Sequence, residues 1–551
     1  MVKRLIFFIL PVLLSASVLS QQTNTNDNPG KPQYDQPYTK PVNKLIGESG
    51  NSGNGFDMAP ETTPYIVAQA VHSVKTPLTK GPVEASWASL KANYHVPAWY
   101  AGAKFGLCMH WGIYSVPAYH NEWYEKHMYG TSSIAAWHVE HFGPQDKFGY
   151  KDFIPMFTAE HFDANAWAEL FKKSGARFFA PACQHHDGFA LWDSKVTPYN
   201  AVKMGPHRDL IGELAVAVRK QGLKFGFTNH EIENFTFINP PKEMLDRMKA
   251  EKADLFDPQW IDFYHVADRS DEACRKFLVD WYERNVELID KYKPDILWFD
   301  NGIDQRFLDS IKLLLAAYYY NSANAWGKEV TLNSKKAAYA PSAVNTATIG
   351  SVLDFENKTP PGIRTGTWVV DTRIGSTWGY TEGMSVASVA SIVYQLIDIV
   401  SKNGTMMLNL SPKADGTLPK DQQATLLGVG KWLERNGEAI YETHNWINFT
   451  EGGKTSPKIN FTVKEDILYA IIQGKNIPEE IIITSLPRNA GEVQSVGLLG
   501  SNEKINFSQD SDGLKVRLPA NLPGDIAWTL KISGLKMNKS TITASGNPIG
   551  Y

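Results

Sequence analysis

From about residue 80 to residue 442, short apolar runs alternate with amphipathic helical stretches, and this alternation constrains the fold more than any other feature. Strands separated by helices run parallel, each helix serving as the crossover back to the start of the sheet. Eight runs qualify: residues 105–111, 177–184, 224–229, 296–299, 329–332, 352–355, 367–370 and 406–410. Eight is the number that closes a TIM-like (β/α)8 barrel, which is predicted over residues 76–442. The helical periods are clear. Leu210, Ile211, Leu214 and Val218 share one face of residues 208–222, with Gly222 as the stop. Leu278, Tyr282, Val286 and Ile289 do the same before the fourth strand, and Val389, Val393, Leu396 and Val400 before the eighth.

The texture changes outside that stretch. From residue 443, short β-rich runs (459–463, 467–473, 480–484, 514–518) are separated by Gly, Pro, Asn and Asp, which predicts a C-terminal antiparallel β-sandwich over 443–551. At the other end, Lys3 and Arg4 precede an apolar run too short to cross a bilayer, then small residues, so residues 1–20 read as a secretory signal. No Cys stands at the cleavage point, so a soluble exported protein, periplasmic or extracellular, is expected. Residues 21–75 are assigned as a disordered linker, because the Gln-, Asn-, Gly-, Pro- and Thr-rich part up to about Met58 has too few apolar groups to offset its ordering entropy.

A formal charge of −3 on 551 residues provides no electrostatic footprint for nucleic acid or an anionic membrane. Three cysteines, Cys108, Cys183 and Cys274, make no disulfide framework, and the first two lie in strand-like runs as small buried hydrophobes.

Polar and aromatic residues gather where the predicted strands end. His110 and Trp111 end the first, with Glu122-Trp123-Tyr124 in the loop beyond. His185-His186-Asp187-Gly188 ends the second, Asn229-His230-Glu231 follows the third, and Leu297-Trp298-Phe299-Asp300 ends the fourth. In a parallel barrel all these ends share the catalytic rim. A metal site is not expected, because the adjacent His pair alternates rather than sharing a helical face and the other candidates lack a ligand spacing. A serine hydrolase is expected still less, since no Gly-x-Ser-x-Gly elbow accompanies these histidines. Imidazoles, carboxylates and indoles together suit a monosaccharide, whose hydroxyls they bond and whose apolar face they cover. Cleaving a glycoside requires two carboxyl groups. Asp300 is the candidate nucleophile. Glu356, just beyond the sixth strand, is the candidate acid/base, with Asp354 as a rival that strand alternation does not separate from it.

Lys104-Phe-Gly-Leu-Cys-Met-His-Trp-Gly-Ile-Tyr-Ser-Val-Pro117, Glu122-Trp-Tyr124, His185-His-Asp-Gly-Phe-Ala-Leu-Trp192, Gly205-Pro-His-Arg-Asp-Leu210, Leu297-Trp-Phe-Asp300 and Ser376-Thr-Trp-Gly-Tyr380 together resemble the retaining α-L-fucosidases, glycoside hydrolase family 29. The resemblance runs in order from about Trp87 to Trp446. It implies a barrel with a C-terminal sandwich that hydrolyses terminal α-L-fucose of a fucosylated glycan through a covalent intermediate, without cofactor or metal. It further implies that His110, Glu122, Trp123, His185 and His186 hold the sugar, that Trp298 and Trp378 line its apolar side, and that Asp300 is the nucleophile. Two departures stand out. Thr228-Asn229-His230 replaces a frequent Tyr-Tyr-Ser, and Asn333-Ser334-Lys335 stands where an Arg is common. Lys keeps the charge but loses the planar fork, which points to an altered sugar such as a sulfated fucoside or an α-L-galactoside. The other alternative is a sugar-binding barrel without turnover.

Overall fold

The computed structural model describes residues 63–336, 338–341, 348–474 and 477–536. The expected signal, most of the expected linker and the tail from residue 537 lie outside the described residues.

Eight parallel strands close into a barrel in chain order: β1 (Phe105–Met109), β2 (Phe178–Gln184), β3 (Lys224–Asn229), β4 (Ile296–Phe299), β5 (Thr331–Lys335), β6 (Val352–Asp354), β7 (Trp368–Arg373) and β8 (Gly404–Leu410). Closure is direct, since β8 pairs with β1 over five residues from Phe105↔Met406 to Met109↔Leu410. Both faces of each strand are buried, which is why the sequence shows continuous apolar runs. Period-two alternation divides the side chains. Phe105, Leu107 and Met109 face the surrounding helices, whereas Cys108, Phe178, Ala180, Ile296, Trp298, Val352, Val369 and Met407 fill the barrel interior. Two inward positions have no room for a side chain. A Cβ on Gly106 would lie 2.3 Å from the Phe178 ring, and one on Gly226 would lie 2.5 Å from Ile296 Cβ.

Two boundaries differ from the sequence reading. The fifth strand begins at Thr331 and continues to Lys335, rather than spanning 329–332, because its end is polar and gives no apolar period. The linker assigned to 21–75 is also corrected. Thr63–Ser73 is a helix, with Ile66, Val67 and Ala70 buried against helices Asp271–Tyr292 and Asp309–Ala325. Glu283 then fixes the following chain by accepting from Lys75 N (2.5 Å), Thr76 N (2.9 Å) and Thr76 Oγ1 (2.6 Å). The apolar run 64–71 carries helical spacing that the polar composition before it masks.

C-terminal to the barrel are a five-stranded antiparallel sheet, ordered β13-β16-β11-β10-β9, and a three-stranded one, ordered β12-β15-β14. Their strands are β9 (His444–Glu451), β10 (Lys458–Lys464), β11 (Ile467–Gln473), β12 (Glu480–Ile483), β13 (Ser495–Leu498), β14 (Asn506–Gln509), β15 (Leu514–Arg517) and β16 (Ala527–Ser533). β11 serves two cores. Leu468, Ala470 and Ile472 pack between the two sheets, whereas Tyr469 and Ile471 join the barrel's outer core. Polar ties reinforce that seam, among them Trp432 Nε1 to Ala527 O (3.0 Å), Asn460 Nδ2 to Ser401 Oγ (2.9 Å) and Thr462 Oγ1 to Ala439 O (2.7 Å). Cys108, Cys183 and Cys274 are free and buried. Among the described residues no helix is long and apolar enough to cross a membrane.

Leu530 of β16 is fully buried between the two sheets. Leu530→Ala is expected to lower unfolding free energy by about 2–5 kcal/mol in denaturant titration, whereas a change within about 0.5 kcal/mol, typical of surface positions, would contradict this packing.

Candidate active site

The alternation that fills the barrel interior also determines what emerges from it. Continuing each inward series by two residues leads from Cys108 to His110, from Trp298 to Asp300, from Asn333 to Lys335, from Val352 to Asp354, from Val369 to Asp371 and from Met407 to Asn409. These six side chains converge at the C-terminal mouth, the position the barrel architecture reserves for chemistry.

Asp300 is buried and engaged from both sides. Lys335 Nζ lies 2.7 Å from its Oδ1, and His230 Nδ1 donates to its Oδ2 at 2.7 Å. Burial alone would raise its pKa, but the Lys335 ammonium and then His230 overcome this and hold the carboxyl well below the usual carboxylate range. Lys335 also reaches Glu356 Oε2 at 3.0 Å and Asp371 Oδ2 at 3.5 Å. Its burial favours loss of the proton, yet Asp300, Asp371, Glu356 and Asp354 together keep it charged. Because one nitrogen contacts both Asp300 and Glu356, their nearest oxygens are separated by no more than those two distances laid end to end.

Asp354 and Glu356 differ in their surroundings. The strand ends at Asp354, so alternation does not carry through to Glu356, which lies in the turn that follows. Asp354 is 2% exposed and accepts from Trp298 Nε1 at 2.6 Å and Asp371 N at 3.3 Å. The Glu356 side chain is 38% exposed and opens toward solvent. Burial, followed by the neighbouring Asp354 charge, raises the Asp371 carboxyl well above its ordinary value, which favours its protonated form.

Around the acids lies a wall of imidazoles and indoles. His110 is 5.2 Å from His185, 4.9 Å from His230 and 5.1 Å from Trp378, ring centre to ring centre, and His185 is 4.3 Å from His186. Burial lowers His110, His185 and His230, leaving imidazoles that accept as well as donate hydrogen bonds. His110 is oriented by its Nδ1 contact to Asn409 Oδ1 (2.7 Å), and Asn409 Nδ2 donates to Trp378 O (2.8 Å). Glu122 accepts from Gly379 N at 3.1 Å. Only glycine fits there, since a Cβ would lie 2.8 Å from the Tyr114 ring. Trp123 meets the His186 ring edge-on at 5.8 Å. Trp298 is almost fully buried beneath Lys335, whose ammonium is 5.1 Å from its ring centre, so it forms the floor of the site rather than an open stacking face.

All nine residues selected from the sequence are therefore linked by contacts in one place. His230, Lys335, Asp371, Asn409 and Glu233 were not selected. His230 and Lys335 had been visible as departures from the family pattern, and inward parity would have picked out Asp371 and Asn409. Among the described residues, two groups bring potential donor atoms within 4.8 Å: His110, His185 and His230, and His186, His230 and Asp300. His230 belongs to both and spends Nδ1 on Asp300 and Nε2 on Thr228 Oγ1 (3.1 Å), so neither group offers three uncommitted lone pairs.

A cleft of about 540 Å³, bordered by Trp99, Arg177, Lys224 and Tyr441, lies at the other end of the barrel, where β2 and β3 begin. The acids on it are paired, Glu442 with Lys464 (2.7 Å) and Glu438 with Lys531 (2.5 Å).

An α-L-fucosidase family model matches residues 70–438, and an α-L-fucosidase C-terminal domain model matches residues 453–533. The tissue α-L-fucosidase of Rattus norvegicus is 31% identical over 462 residues, covering 81% of this chain and 92% of the relative. That of Homo sapiens is 30% identical, covering 85% and 95%. The crystal structure of Thermotoga maritima α-fucosidase in complex with fucose superposes with a TM-score of 0.66 at 31% identity, over 82% of this chain and 99% of that one. The chain belongs to the α-L-fucosidase family of glycoside hydrolases.

Proposed function

We propose that this protein is an exported, exo-acting α-L-fucosidase that removes terminal α-L-fucose from oligo- or polysaccharides by double displacement. The observation that carries the mechanism is the shared contact of Asp300 and Glu356 with one ammonium, at 2.7 and 3.0 Å. It caps the distance between their nearest oxygens below the roughly 6.5–9.5 Å of inverting glycosidases, which supports the retaining arrangement at about 5–5.5 Å.

Asp300, ionised and buried, attacks the anomeric carbon while Glu356 protonates the leaving oxygen. Water then enters where the aglycone left. Glu356 takes its proton, the bond from the anomeric carbon to Asp300 breaks, and the carboxylate regains its electron pair. Glu356 suits the acid/base role better than Asp354, because it opens toward solvent, whereas both Asp354 oxygens are committed to Trp298 and Asp371. His110, Glu122, Trp123 and His185 are assigned to the sugar hydroxyls and Trp378 to its apolar side, while Trp298 lies beneath Lys335 as the floor and His186 has Nδ1 on His230 O and Nε2 beside Asp300 Oδ2. Lys335 is already engaged by three carboxyl groups, of which Asp300 is ionised, and this favours an uncharged fucoside over a sulfated one at that position.

Aryl α-L-fucosides test the reading. Nitrophenol should be released by the native chain and reduced to background by Asp300→Asn; an unimpaired variant would refute the nucleophile. Glu356→Ala should lower kcat/KM for fucosyl oligosaccharides by about 10²–10⁴-fold while sparing kcat/KM for activated aryl fucosides, whose leaving group needs no proton. If Asp354→Ala shows that selectivity instead, the roles are exchanged. Lys335→Met removes the charge that keeps Asp300 ionised against its burial, so the acidic limb of kcat/KM should move to higher pH. An unmoved limb would show that Lys335 does not control the nucleophile.

A further inference from the structure

Glu233 lies in the short turn Glu231–Glu233 after β3 and was not among the residues chosen for the site. Its Oε2 is 3.5 Å from His186 Nε2, and the same nitrogen is 3.5 Å from Asp300 Oδ2. Its Oε1 is buried without a hydrogen-bond partner. His186 Nδ1 is spent on His230 O at 2.8 Å, which fixes the ring and leaves Nε2 as the atom between the two carboxyl groups. If none of the three carried a proton, one lone pair and two carboxylates would converge in a buried space, a costly arrangement. Charge counting reaches the same result. Asp300 has Lys335 at 2.7 Å, and Glu233 has His186 at 3.5 Å.

We infer that Glu233 and His186 hold one proton between them and present it to Asp300 Oδ2, making Glu233 a positioning residue for the release of the nucleophile. The inference rests on the retaining reading above. When water attacks the glycosyl-enzyme, the bond between the anomeric carbon and Asp300 breaks and a full negative charge returns to a buried carboxylate. A proton on His186 Nε2 meets that charge as it forms, and Glu233 supplies the opposite charge that keeps the proton there. The groups facing the pair are Glu122 and Lys126 from the loop after β1, His185 and Asp187 after β2, His230 after β3, Asp300 after β4, and Lys335 and Lys336 at the end of β5. The burial of Glu233 raises its carboxyl and Asp300 raises it further, against the lowering by His186 and the two lysines Lys126 and Lys336.

The test uses the full chain and an aryl α-L-fucoside with a nitrophenol leaving group, for which breakdown of the intermediate limits kcat. In that step Glu356 acts as a base, so a basic limb of kcat reports a different proton-bearing group. Glu233→Gln keeps the shape and removes the charge. It should reduce kcat by roughly ten- to a hundredfold, the loss of one hydrogen bond to a charged group, and move the basic limb to lower pH because the proton is held less tightly. Glu233→Asp should restore part of both. Matching thermal unfolding of the variants guards against a folding defect. A Glu233→Gln enzyme with native kcat, or one that is slower with an unmoved basic limb, overturns the inference while leaving the Asp300 and Glu356 assignments intact. Failure of the native chain to release nitrophenol would instead remove the reading on which the inference rests.

Discussion

A single ammonium group, that of Lys335, holds the mouth of this barrel together. Three carboxyl groups from β4, β7 and the turn after β6 lie within 3.5 Å of it. Without that charge, the burial of Asp300 would go uncompensated and its carboxyl would take up a proton. With it, Asp300 stays ionised although it is almost fully enclosed. The surrounding architecture keeps Lys335 in place. It ends a strand whose preceding inward residue, Asn333, donates to Tyr100 OH at 2.6 Å, and the Trp298 ring forms the surface below its ammonium.

Much of this was legible in the chain because a parallel barrel writes itself in a simple code. All eight strands appear as buried runs, and the strand-end positions of His110, His185, His186 and Asp300 place them on one rim. What was less legible has physical causes. Lys335 closes a strand with a polar end, so apolar periodicity stopped short of it. Asp354 and Glu356 looked equivalent while the strand was taken to run to residue 355. Ending it at Asp354 turns one carboxyl inward onto Trp298 and leaves the other at the surface. The roles of Asp371 and Asn409 depend on inward parity across two strands at once. Glu233 sits in a turn, where no period operates, and its significance depends on a histidine almost fifty residues earlier.

The C-terminal sheets contribute at a distance. One face of the five-stranded sheet rests on helices Val389–Ser401 and Lys420–Asn436, and the first of these packs against β8. β8 carries Asn409, which orients His110 and the Trp378 carbonyl. Packing in the second domain is thereby coupled to the rigidity of the imidazole wall at the barrel mouth, without any of that domain's described residues entering the site.

The account depends on two acids lying close enough to act on opposite sides of one anomeric carbon with a covalent stage between them. Proton NMR of the first-formed sugar during hydrolysis of an aryl α-L-fucoside, recorded before mutarotation, tests this most directly. The α-anomer of L-fucose should accumulate first; first appearance of the β-anomer would contradict the shared-ammonium geometry as the basis of catalysis.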